Sequence, residues 1–136
     1  MSLPDFGAKI LVEATISPSE DPKKVAEALA GLLGEAAGLV AIGPASARLA
    51  TGNPRALARV RDQLRDRHVR SAARRQLLLN KSGTSTRLML NRQAAAAGVL
   101  ALCGSDEESP LGPIYMTIES DRLEEVIDWV TAYDGG

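Results

Sequence analysis

The sequence predicts an α+β fold, in which a mostly antiparallel sheet of four to six strands carries helices on one face. Short runs rich in β-branched residues have the composition of strands, and amphipathic patterns with helical spacing alternate with them. A hydrophobic share of 45% with only 3% aromatic residues indicates a core of aliphatic side chains. Residues 1–136 form a single domain in this interpretation, because no linker or internal repeat is visible.

The first third of the chain predicts a strand, a helix and a pair of shorter strands. Ala8–Ile16 has strand composition, and Asp21 with Pro22 has the pattern of a helix N-terminus. The helix should end near Gly34. Two weak strands, or a strand and a turn, follow at residues 38–42 and 45–51. The apolar stripe of the helix contains Val25, Ala28, Leu29, Leu32 and Leu33.

Two helices are expected in the middle of the chain. Asn53 caps the first and Pro54 opens it. Its apolar face is predicted to contain Leu57, Val60, Leu64 and His68. The pattern restarts near residues 69–71, and a second helix is expected to continue to about Asn80.

The last third predicts three strands and a helix. The strands are expected at residues 84–90, 99–103 and 114–118. If the first two pair, residues 91–93 lie at one end of that hairpin. Residues 91–98 form either a loop or one helical turn. Ser120 or Asp121 should cap the last helix, with Trp129 at the edge of its buried stripe. That stripe contains Leu123, Val126, Ile127 and Val130.

Charge is divided unevenly along the chain, although the formal total is only −1. Residues 55–92 contain eleven basic and two acidic side chains, a net charge of +9. The remainder contains five basic and fifteen acidic side chains, a net charge of −10. Such segregation concerns partners rather than fold.

Catalytic chemistry has little support in the sequence. His68 is the only histidine and continues an apolar helix face, which favours a partly buried or capping role. Cys103, the only cysteine, has no evident base nearby and is more typical of a small core residue. The spacing of Asp106, Glu107 and Glu108 is not that of a calcium loop. We therefore expect no enzyme activity, no cofactor, no metal and no small-molecule substrate; an enzyme that uses Asn91, Gln93 and this acidic loop is the weakest alternative.

The basic helices are the strongest functional signal. Arginine outnumbers lysine ten to one in residues 55–92, and guanidinium groups form paired hydrogen bonds with phosphates. Scarce aromatic residues disfavour single-stranded ligands, so we expect contacts with the backbone of structured RNA. Three alternatives stay open: a solvated basic surface, a dimeric interaction module with no nucleic-acid ligand, and binding of another anionic ligand. The candidate contacts are Arg55, Arg59, Arg67, Arg70, Arg74, Arg75, Lys81 and Arg92.

The setting of the protein is expected to be cytoplasmic and away from membranes. No apolar run approaches the roughly 20 residues that span a bilayer, and no secretory signal is evident at the N-terminus. A single cysteine also fits a reducing compartment.

Two loop motifs carry a resemblance to an archaeal group, uncharacterised protein family 0201. They are the Asn-Arg-Gln-Ala-Ala run at residues 91–95 and the Glu-Glu-Ser-Pro-Leu-Gly-Pro-Ile run at residues 107–114. The likeness extends to residues 19–22 and 73–75. Members usually have lysine where this chain has Arg92, which keeps the charge.

The resemblance implies an α+β unit of the ribosomal L5-like fold, RNA binding by analogy, and a homodimer. It implies no activity, cofactor or catalytic residue. Whether the two loops are functional or structural stays open, because Asn91 and Gln93 can either pin loop backbone or contact an RNA edge. The motif residues are Asn91, Gln93, Glu108, Ser109, Pro110, Gly112 and Pro113.

Overall fold

A computed structural model describes residues 5–34, 39–43, 45–66, 68–103 and 112–132, and for residues 39–42 and 66 it describes the backbone alone. The described residues form five strands and five helices in an α+β arrangement, which confirms the predicted fold class. The strands are β1 (Lys9–Thr15), β2 (Leu39–Ile42), β3 (Ser46–Thr51), β4 (Ser85–Leu90) and β5 (Ile114–Glu119). The helices are α1 (Pro22–Leu33), α2 (Pro54–Asp66), α3 (Arg70–Leu79), α4 (Arg92–Ala96) and α5 (Leu123–Val130).

The five strands form one sheet in the order β2-β3-β1-β5-β4, and all neighbouring pairs are antiparallel. Because β3 lies between β1 and β2 and runs against both, β1 and β2 are parallel, and α1 connects them as a split βαβ unit. The likeness to the ribosomal L5-like fold stays a prediction.

Among the described residues, helices cover one face of this sheet and not the other. Alternate residues of β1, β4 and β5 are buried, as a strand with one face in the core requires. Val12, Leu88 and Met116 represent the three strands and are completely buried. Their side chains belong to a single apolar core with the buried stripes of α1, α2, α3 and α5.

The local signals for the boundaries of α1 and α2 are confirmed, whereas the predicted cap of the last helix is wrong, because Arg122 and not Ser120 or Asp121 is the N-cap of α5. The Asp21 carboxylate accepts a hydrogen bond of 3.0 Å from the backbone N–H of Lys23, and α1 begins at Pro22. The Asn53 side-chain oxygen accepts one of 3.0 Å from the N–H of Arg55. Gly34 ends α1 with a φ of +68°, in the left-handed region that favours glycine. Short patterns of this kind act within a few residues, which is why sequence reveals them.

Two other predicted features are wrong. Residues 99–103 are not a strand, because only Leu102 forms an isolated bridge, to Leu90 of β4. His68 does not continue the apolar face of α2, because the helix ends at Asp66 and His68 is exposed with a φ of +56°. Cys103 is fully buried, as expected of a core residue.

The outer edge of β4 is occupied by groups from outside the sheet. The Gln76 amide on α3 accepts a hydrogen bond of 3.1 Å from Met89 N–H and donates one of 2.6 Å to Cys103 C=O. Cys103 N–H donates to Met89 C=O, and the Asn80 amide donates to Arg87 C=O. Helix α3 therefore runs beside β4 and satisfies backbone groups that a further strand would otherwise pair.

Candidate nucleic-acid interface

Three arginines of α2 and α3 donate hydrogen bonds to the C-terminal ends of other helices. Two of them, Arg59 and Arg70, are predicted RNA contacts, and the third is Arg61. Arg59 Nε donates to Gly31 C=O in the last turn of α1, over 3.0 Å. Arg61 Nε donates to Trp129 C=O at the end of α5, over 3.1 Å, and its guanidinium lies 5.0 Å from the centre of the Trp129 ring. Arg70 donates to Ala132 C=O just beyond α5. A cation at this position complements the helix dipole, so these three arginines stabilise the helical layer.

Two more of the predicted contacts form ion pairs with α5. Arg74 Nη1 lies 2.7 Å from a carboxylate oxygen of Asp128, and Lys81 Nζ lies 2.6 Å from one of Glu124. Acidic partners for the basic helices are thus partly supplied within this chain. These pairs are well exposed, so each contributes little to stability.

Arg55 and Arg75 differ from the others. Both are exposed, and among the described residues neither side chain has a hydrogen bond or an ion pair. Arg75 lies on α3, a helix without any acidic residue. Arg67, also predicted to contact RNA, lies outside the described residues. The charges best placed to meet an external anion are therefore those of Arg55 and Arg75.

Arg92 is buried, with a side chain only 9% exposed. Its Nη1 donates to both carboxylate oxygens of Glu20, at 3.0 and 2.9 Å. Its Nη2 donates to Thr15 C=O over 2.8 Å, and its Nε donates to Gly112 C=O over 3.1 Å. The prediction that Arg92 extends the RNA surface is wrong, because its donors already face internal acceptors and almost none of the side chain reaches solvent.

These contacts join three segments that carry the family resemblance. Glu20 belongs to residues 19–22, Arg92 to the Asn-Arg-Gln motif, and Gly112 to the loop before β5. Glu20 also accepts a hydrogen bond of 2.9 Å from the N–H of Ser17, which fixes the turn between β1 and α1. We call Thr15, Glu20, Arg92 and Gly112 the Arg92 junction. The sequence contained no signal for the pairing of Glu20 with Arg92, since 72 residues separate them.

The remaining motif residues divide between structural and exposed positions. The Asn91 side-chain oxygen accepts a hydrogen bond of 2.9 Å from Ala94 N–H, so it caps α4. Gln93 is exposed. Gly112 has a φ of +86°, and Pro113 is buried beside it. Glu108, Ser109 and Pro110 lie outside the described residues.

A cleft of about 240 Å³ lies above the Arg92 junction. Its lining includes Glu20, Lys24, Val25, Ala28 and Arg92. Neither Asn91 nor Gln93 lines it, so it does not join the residues of the weakest, enzymatic alternative. Within the described ranges, no group of three or more histidine, cysteine or carboxylate side chains is arranged to hold a metal ion. In the same ranges, no helix has both the length and the apolar character needed to cross a membrane.

The face of the sheet that helices leave uncovered has a different chemistry. Leu11, Met89 and Tyr115 are half-buried there, and the Arg87 guanidinium lies 4.7 Å from the centre of the Tyr115 ring. Arg48 pairs with Glu13 across strands β3 and β1, at 3.4 Å. Charges of both signs therefore alternate with apolar side chains on this face.

Comparison with known proteins gives a consistent result. No family model matches the chain. A UPF0201 protein of Sulfurisphaera tokodaii is 36% identical over 129 residues, which cover 90% of this chain and 86% of that protein. One of Saccharolobus solfataricus is 33% identical over 128 residues, with the same coverage of both chains.

Solved structures of archaeal proteins share the fold. The UPF0201 protein from Methanococcus jannaschii matches with a TM-score of 0.76 at 21% identity, over 93% of this chain and 96% of that one. A DUF54 protein from Methanothermobacter thermautotrophicus matches with a TM-score of 0.61 at 19% identity, over 90% and 93% of the two chains. At these identities the likeness concerns the fold alone.

Proposed function

The chain belongs to the UPF0201 family, and we propose that this member binds structured RNA through exposed arginines of α2 and α3. The observation that carries the proposal is the state of Arg55 and Arg75, which are exposed and have no internal partner among the described residues. Guanidinium groups in that state are suited to phosphate oxygens. The proposal includes no catalytic step. It does include a cytoplasmic location.

Other arginines of the same layer support this proposal by their positive charge. Arg59 donates to a carbonyl oxygen, and no carboxylate among the described residues forms an ion pair with it. Its field adds to that of Arg55 four positions earlier on α2. Arg74 contributes less, because Asp128 offsets its charge.

A salt series tests the proposal. Binding of a fluorescent RNA hairpin should weaken steeply with salt, because each arginine–phosphate contact releases counterions. Charge reversal in Arg75→Glu should lower affinity by about tenfold at low salt and reduce the logarithmic salt slope by about one or more. Arg55→Glu should act in the same direction.

The matched control is Lys9→Glu, which makes the same change in net charge on an exposed residue of β1. It should leave affinity within about twofold, because it lies on the sheet rather than on the helical layer. Absence of binding, or an equal loss in Lys9→Glu, contradicts the proposal.

A homodimer is the second candidate, and the uncovered face of the sheet favours it. Leu11, Met89 and Tyr115 lie there without a covering helix. The footprint is small, however: five strands of about six residues span roughly 24 Å by 20 Å, or about 480 Å². A standard interface buries about 800 Å² per partner, which ranks this candidate second. Light scattering should report twice the chain mass if it is correct, and Leu11→Glu should then restore the monomer.

A further inference from the structure

The outer side of α3 carries the two large apolar side chains that are exposed within the described residues. Leu78 is 49% exposed and Leu79 is 77% exposed. Arg75 precedes them by three and four positions, so the three side chains are neighbours on the helix surface. Ala72 is exposed three positions before Arg75. We call Ala72, Arg75, Leu78 and Leu79 the α3 strip.

Packing among the described residues does not account for the two leucines. The side of α3 that faces the core is supplied by Ala73 and Leu77, which are completely buried, and Gln76 contacts β4. A single exposed leucine is common, but here two adjacent ones lie beside Arg75, which has no partner among the residues that the structure describes. Together they form a mixed apolar and cationic surface. A ligand that fits the α3 strip must offer negative charge and an apolar surface within one helical turn.

We infer that the α3 strip contacts an unstacked nucleotide of RNA, with Arg75 on a phosphate and Leu78 and Leu79 against the face of the base. This inference depends on the proposed function and narrows its ligand to RNA with a bulge, a loop or a strand end. In an uninterrupted A-form helix the base faces are stacked and the major groove is too narrow for side chains. Leucines gain contact only where a base leaves the stack, as apolar wedges do between base steps of DNA.

Charge favours RNA over a second copy of this chain at the α3 strip. No residue from Arg70 to Leu79 is acidic. Antiparallel pairing of α3 with its counterpart along the full helix would bring two Arg75 side chains together near the two-fold axis. Like charges at such a position are unfavourable. An RNA nucleotide instead supplies the phosphate that Arg75 lacks.

The test compares two fluorescent RNA hairpins that differ by one unpaired nucleotide in the stem. Wild-type protein should bind the bulged hairpin roughly tenfold more tightly than the uninterrupted one. Leu79→Gln, which keeps length but removes apolar character, should abolish most of this preference without changing the salt slope. Leu79→Met keeps apolar character and should retain the preference. Arg75→Gln should weaken binding to both hairpins and reduce the salt slope by about one.

The outcomes separate the inference from the proposed function. If both hairpins bind with equal affinity and Leu79→Gln changes neither, the inference is wrong and RNA binding stands. If neither hairpin binds, the proposed function fails and the inference fails with it. If Leu79→Gln instead converts a dimer into a monomer in light scattering, the leucines contact protein, and the inference is overturned. Leu79 is too exposed to be needed for folding, and thermal unfolding of each variant verifies this.

Discussion

Arg92 and Arg75 show opposite uses of the same side chain. Arg92 lies in the Arg92 junction, 9% exposed, and donates to a carboxylate and two backbone carbonyls from three segments. Arg75 lies in the α3 strip, exposed, and has no internal partner among the described residues. In the sequence both belong to one run of positive charge. The structure divides that run into charges with internal partners and charges that have none among the described residues.

The difference follows from what surrounds each guanidinium. A buried charge is tolerated only if nearly all of its donors are satisfied, and Glu20, Thr15 and Gly112 provide that around Arg92. Arg75 is exposed to solvent, so a phosphate can accept from its donors without displacing a partner among the described residues. Both arginines lie in segments that carry the family resemblance, so the resemblance alone does not tell which of them has a structural role.

The largest expected effect is the loss of the Arg92 junction. Arg92→Ala should lower the free energy of unfolding by about 3–5 kcal/mol, because it leaves the Glu20 carboxylate buried without its partner. Urea denaturation followed by circular dichroism measures this. Arg75→Ala is the matched control and should change stability by less than about 0.5 kcal/mol. Equal effects of the two substitutions on the free energy of unfolding would contradict the different roles of Arg92 and Arg75.

An intermediate effect is expected where Arg59 lies against the end of α1. A Cβ atom on Gly34 would lie 2.7 Å from Arg59 Cδ, and the φ of Gly34 is +68°. Gly34→Ala should therefore cost about 1–3 kcal/mol of unfolding free energy. Gly31→Ala, in the same helix with open space around the new methyl group, should instead stabilise by about 0.5–1 kcal/mol. Thermal denaturation of the two variants should show shifts of opposite sign.

A small effect is expected at the exposed pair between α3 and α5. Asp128→Asn should lower the free energy of unfolding by less than about 1 kcal/mol, because Arg74 and Asp128 are both largely in solvent. The same substitution should strengthen RNA binding slightly, since it removes a negative charge beside the α3 strip. Chemical denaturation and the hairpin titration measure the two effects, and weaker RNA binding in Asp128→Asn would argue against the interface.

The smallest effect concerns titration rather than stability. The hydrogen bond from Arg122, aided by its positive charge, lowers the pKa of the Glu125 carboxyl from its ordinary value of 4.5. Because the folded pKa lies below the unfolded one, any stabilisation is present above the unfolded pKa and is lost as pH falls through the folded pKa. Carbon-detected NMR should show the Glu125 pKa returning to its ordinary value in Arg122→Ala, without a measurable change in stability.

Sequence predicted what short-range physics determines. The cap at Asp21, the start of α2 after Asn53, and the alternation of buried residues in β4 depend on neighbours a few positions away. The strand expected at residues 99–103 failed because apolar composition alone cannot distinguish a strand from a chain segment held by one bridge.

Roles that depend on long-range contacts could not be predicted. Arg59 meets a carbonyl 28 residues away, and Arg61 meets one 68 residues away. In the sequence both counted toward the positive charge of residues 55–92, and Arg59 was also a candidate RNA contact. Charge composition therefore overestimated the candidate interface, and only burial and partner assignment reduced it to Arg55, Arg75 and their neighbours.

The contacts of Gln76 have a consequence for how copies of this protein associate. Its amide occupies the hydrogen-bonding position that a neighbouring strand would take beside β4, and Asn80 and Cys103 occupy the adjacent ones. The sheet is closed to growth along this border. An exposed edge strand usually risks pairing with a strand of another chain, and the occupied groups of β4 disfavour such pairing at this edge. The exposed leucines of α3 therefore lie on a helix beside a sheet edge whose hydrogen-bonding groups are already occupied. An apolar contact through these leucines would not extend the sheet at this edge.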